Sequence, residues 1–225
     1  MKHLKILGLV VVAAAALMAM VGASTAAAET TFCKANETPC SESNMIPGTQ
    51  NIKAILATGT KVTAVAGFAT VTCEEAVAEG KASTTTTTPS GPISKMTFGK
   101  CKDSLGRNCD VIVSETSPGA FGILQVHAIA GTMNGNLTAS GFTVTVHCFN
   151  KPLTSEAATS TNICRYSGTI TAGITLTGGD PASGGAVNAS VPIEQPSDFI
   201  CASPGKITGS YTVSEPNPLW VSPGV

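Results

Sequence analysis

The segment FTVTVHCF, Phe142 to Phe149, puts Phe142, Val144, Val146 and Cys148 on one face and Thr143, Thr145 and His147 on the other. A period of two is the repeat of a half-buried β-strand, and a helix with its 3.6-residue repeat cannot use it. The alternation recurs in TITAGITLT (Thr169 to Thr177), with Ile170, Ala172, Ile174 and Leu176 inward, and in VNASVPI (Val187 to Ile193). Further strands are expected at Ile52 to Thr58, Val62 to Cys73 (with Gly67 as a bulge or break), Ile93 to Phe98, Asp110 to Glu115 and Gly122 to Ala130. Asn134-Gly135 predicts a hairpin returning through Asn136 to Ser140, and Ile207 to Val213 and Leu219 to Val221 complete the set. About ten short strands with threonine on their outer faces predict an all-β fold, an antiparallel sandwich or barrel, and the expectation is a β-sandwich of jelly-roll-like or related type. One polar face per strand argues against a parallel α/β sheet, whose strands are apolar on both sides. Only TCEEAVAEGK (72–81) has a helical look. KASTTTTTPSGP (81–92) is of low complexity and reads as a flexible surface loop.

The first 28 residues read as a signal peptide. Lys2, His3 and Lys5 precede an uncharged apolar run, and Ala26 to Ala28 offers an A-x-A site with cleavage after Ala28. Residues 29–225 are then expected to form one domain without a transmembrane helix. A lipid anchor is rejected, because Thr31 and Phe32 stand before Cys33 where a lipoprotein needs small residues. The chain has 13 basic and 14 acidic side chains, and loss of Lys2 and Lys5 leaves 11 against 14, a net charge of −3. Such a chain has no electrostatic footprint for nucleic acid and no polybasic patch for anionic lipid.

All eight cysteines (33, 40, 73, 101, 109, 148, 164 and 201) follow the signal. An even number in an exported chain predicts disulfides, and no C-x-x-C spacing supports zinc or redox chemistry. Sequence alone leaves the connectivity open. Proximity favours Cys33–Cys40, Cys101–Cys109 and Cys148–Cys164, with Cys73–Cys201 by elimination.

Catalytic constellations are not legible. His127 and His147 are the two histidines after the signal, and they read as surface or cross-strand residues, short of the ligands zinc needs. No G-x-S-x-G elbow, P-loop or dinucleotide fingerprint is present. Glu74 and Glu75 are adjacent and would point apart in a strand, a poor start for a glycosidase pair. The sequons at Asn36, Asn136 and Asn188 read as chance triplets in a threonine-rich chain. No cofactor is expected. The single tryptophan, Trp220, is expected to close the core; exposed, it would be the best contact residue.

The FCKANETPC opening, the placement of the cysteines and the YTVSEPNPLWVS ending together resemble a group of exported, cysteine-rich hypothetical proteins of soil actinobacteria. That resemblance implies an exported, disulfide-bonded β protein and carries no activity or site residues. The expectation is a secreted or cell-envelope structural or binding module without catalytic activity, its partner a glycan or another envelope protein. The alternatives are a secreted hydrolase of β-sandwich fold and a strand-donating subunit of a surface assembly.

Overall fold

The computed structural model describes residues 29–65, 70–84, 87–149, 160–170, 174–184, 189–191, 193–195 and 204–223. The expected signal, residues 1–28, lies outside them, as do Cys201 and Asn188. Eighteen strands and no helix occur among the described residues, and every ladder is antiparallel. The all-β expectation holds. The sandwich does not describe the main sheet, which closes on itself.

Eight strands make the closure. They are β2 (Thr49–Leu56), β5 (Glu75–Ser83), β6 (Ser90–Gly99), β9 (Ile123–Ala128), β10 (Gly135–Phe149), β12 (Thr175–Thr177), β13 (Ala182–Gly184) and β17 (Tyr211–Glu215). The order runs β12-β13-β17-β2-β5-β6-β9-β10, and Gly135 and Asn136 of β10 pair with Leu176 and Thr175 of β12 to shut the barrel. Closure leaves these strands without a free edge between them.

Strand β10 belongs to two structures. Its first half, to Ser140, pairs with β9 in the barrel. Its second half pairs with β8 (Asn108–Ser114) on one side and β11 (Ser160–Ile170) on the other. Between the halves the register slips from Ala139 to Phe142, and Gly141 has φ +67°. A glycine in the left-handed region re-aims the strand at no Cβ cost. Beyond β8 the sheet continues through β7 (Cys101–Asp103), β4 (Thr70–Cys73), β3 (Val62–Val65), β16 (Gly205–Thr208) and β14 (Ala189–Val191), while β15 (Ile193–Gln195) pairs with β11. A separate two-stranded sheet joins β1 (Thr30–Cys33) to β18 (Trp220–Pro223).

The core follows this division. Phe32, Leu219 and Val221, all but fully buried, pack from the β1–β18 sheet and its approach onto Val126, Leu176, Ala182 and Val213 of the barrel. Each such side chain contributes about 1.5–3 kcal/mol by leaving water. A second cluster joins Ala76 and Ile93 of the barrel to Val62, Val71, Val111 and Val146 of the continuing sheet.

Three local expectations are corrected. TCEEAVAEGK ends β4 and forms most of β5, not a helix. Alanine and glutamate are good helix formers, but cross-strand pairing on both sides overrides propensity. The Asn134-Gly135 pair does not form a two-residue turn: the β9–β10 connection spans Ile129 to Asn134 and is closed by Ile129 N–H donating to the Asn134 carbonyl (3.0 Å). In the threonine-rich stretch, residues 81–83 end β5 and residues 90–92 begin β6, and the described residues between them make hydrogen bonds to the rest of the fold. The Thr87 carbonyl accepts from Thr30 N–H (2.8 Å), and that of the buried Pro89 accepts from Val126 N–H (2.9 Å).

Candidate functional site

The barrel interior is built by three register rows across β2, β5 and β6. Lys53, Glu79 and Lys95 stand side by side and face outward, with Glu79 in ion pairs to Lys53 (3.3 Å) and Lys95 (3.9 Å). The neighbouring rows therefore face inward: Ala54–Ala78–Met96 and Ile52–Gly80–Ile93. Gly80 is required where it stands, since a Cβ would lie 2.7 Å from the Pro92 carbonyl oxygen. Small residues on the middle strand leave an interior cavity of about 170 Å³, lined by hydrocarbon from every barrel strand and from Phe32 and Leu219 at the β1–β18 end. Tyr211 also lines it, and burial pushes its hydroxyl up to about 12. A smaller cavity of about 80 Å³ adjoins, sharing Met96, Phe98, Ala139 and Ile207 as a common wall.

The cysteines do not make a reactive site. Cys33–Cys40 is bonded as expected. The other pairs differ: Cys73 is bonded to Cys101 and Cys109 to Cys148, which replaces Cys101–Cys109, Cys148–Cys164 and Cys73–Cys201. Cys164 is also disulfide-bonded. Cys73, Cys101, Cys109 and Cys148 lie in one row across β4, β7, β8 and β10. Antiparallel ladders alternate narrow and wide residue pairs, so neighbouring pairs along such a row alternate too. Both bonded pairs have Cα atoms 4.0 Å apart, the narrow kind, which makes Cys101 and Cys109 the wide pair between them. Asp103 sits near this row, but its carboxylate is committed to the β7–β8 turn. It accepts from Leu105 N–H (3.0 Å), Arg107 N–H (2.8 Å) and Arg107 Nε (2.5 Å). With both nearby cysteines oxidised, Asp103, Cys109 and Cys148 offer no thiolate to a metal.

The remaining sequence candidates are scattered. His127 is exposed on β9 opposite Asn136, and His147 stands opposite Asp110, eleven positions further along β10. They stand at opposite halves of β10, either side of the bend at Gly141, and neither falls in a cluster of candidate metal ligands among the described residues. The His147 ring packs on Phe149 (4.3 Å between centroids), and its buried Nε2 has no hydrogen-bond partner among the described residues. Glu74 pairs with Lys61 (3.0 Å) and Glu75 with Lys100 (2.5 Å) at the surface. Trp220 is half-buried in β18 and packs against Cys33, Cys40 and Met133, beside the barrel end. Its strand is paired on one side with β1. Sequence reasoning missed the cavity. The signal was present in Ala54, Ala76, Ala78 and Gly80, small residues at inward positions, but their rows exist only once the register is known.

No family model, curated protein or solved structure matches this chain.

Proposed function

We propose that this protein is an exported module that binds and does not catalyse, and that it binds within its barrel. The observation that carries this reading is the hydrocarbon-lined interior cavity of about 170 Å³. A concave apolar chamber is the common form of a small-molecule site, and an eight-stranded barrel is wide enough for one small ligand. Disulfides belong to oxidising compartments, in keeping with the apolar leader and its A-x-A site. The ionised groups near the chamber favour binding over reaction: Glu79 is held outside by two lysines.

The test has two arms. Expression in a bacterial host followed by fractionation should recover the oxidised protein outside the cytoplasm, shortened after Ala28 by mass. Organic extraction of that protein should release a small molecule in stoichiometric amount, and ester, glycoside and peptide substrates should not be turned over. Turnover that co-purifies with the protein, or a reduced cytoplasmic product, would overturn the reading.

A further inference from the structure

Barrels of eight strands ordinarily fill their interior with side chains. Here the middle strand of the β2–β5–β6 wall carries alanine at one level and glycine at the next, with Ala54 beside Ala78. Four strands away by either path, β12 contributes only Leu176, buried and facing in. The space these residues leave is the chamber of about 170 Å³. An apolar cavity of about 150 Å³ in a protein core is large enough to take benzene or xenon. A charged molecule would lose its hydration there and find no counter-ion, a cost no hydrocarbon wall offsets.

We infer that the chamber binds one small, uncharged, hydrocarbon-rich molecule about the size of a single aromatic ring, and that Ala54, Ala78 and Gly80 set that size. This rests on the binding reading above and names its ligand class. Met96 governs length. It lines both the main chamber and the adjoining one, so it stands between them. Its unbranched thioether yields more readily than a branched side chain would. Truncating Met96 joins the two spaces and admits a longer ligand.

The experiment titrates the exported protein, disulfides formed, with benzene and with n-butylbenzene, followed by methyl NMR and calorimetry. Benzene should give saturable shifts confined to methyls that line the chamber, among them those of Leu124, Leu137 and Leu176. Ala78→Phe should weaken benzene binding by about tenfold or more, because its ring occupies the ligand's space. Met96→Ala should tighten n-butylbenzene by about tenfold, the worth of roughly two buried methylenes. Linear shifts scattered over surface methyls, or a benzene affinity unchanged in Ala78→Phe, would overturn the assignment. If Ala78→Phe does not fold, the wild-type shift map and Met96→Ala decide it. Failure here while a stoichiometric extracted ligand persists sinks the ligand class alone; turnover of a substrate sinks the binding reading itself.

Discussion

Asp103 shows how one buried carboxylate can organise a turn. Burial by itself would raise its pKa, but the Arg107 backbone and side chain and the Leu105 N–H outweigh that and hold it below the usual aspartate range. Its folded pKa is thus depressed relative to the unfolded chain. The stability it contributes is present above the unfolded value of about 3.9 and is lost as pH falls through the folded value. Asp103→Ala leaves its donors unmet and should cost about 1–3 kcal/mol in urea unfolding at neutral pH, with a shallower acid limb below about pH 4. The two tyrosines shift the other way, both raised by burial, Tyr211 to about 12. Stability linked to Tyr211 is present below its ordinary value of 10.0 and is lost as pH rises towards 12. Absorbance titration should find less than half of the tyrosinate at pH 10; two ordinary midpoints there would contradict the burial. Gly178 is tested through its neighbour. A Cβ there would meet the Met133 carbonyl oxygen and lie 2.5 Å from Trp220 Cδ1. Gly178→Ala should cost about 1–3 kcal/mol and shift the emission of the single tryptophan.

At the scale of elements, the cysteine row explains why pairing could not be read from spacing. Cys101 and Cys109 are neighbours in sequence and stand opposite each other across β7 and β8, so proximity favours them. The bond instead follows the narrow sites of the ladder, a property of register that no count of intervening residues contains. Non-reducing peptide mapping should recover Cys33–Cys40, Cys73–Cys101 and Cys109–Cys148, with Cys164 also in a bonded peptide. Replacing Cys109 and Cys148 by alanine opens a link across 39 positions and should cost about 4 kcal/mol in the chain-entropy model. Strand β5 was misread for a related reason. Alanine and glutamate suggest a helix, and the ladders to β2 and β6 on either side, which no local window contains, make it a strand. The strongly alternating Phe142–Phe149, by contrast, is legible because β-branched and polar residues leave one reading.

For the molecule as a whole, period-two patterning made the all-β class readable but could not separate barrel from sandwich. Both need strands with one apolar face; the difference is whether the ends of the sheet meet. Here they meet through Gly135 and Asn136 of β10 and Leu176 and Thr175 of β12, a pairing of residues some forty positions apart in a short strand. Of the expected disulfides, the Cys33–Cys40 link beside the barrel end was legible, since its two partners are close in sequence. The chamber was not, since it is made of what inward positions lack. The most direct measurement of this account is a crystal structure of the oxidised protein under xenon pressure. The expected result is a closed eight-stranded barrel with a xenon site inside it, against Ala78, Met96 and Leu137. A sheet open between β10 and β12, or xenon bound only elsewhere, would contradict it.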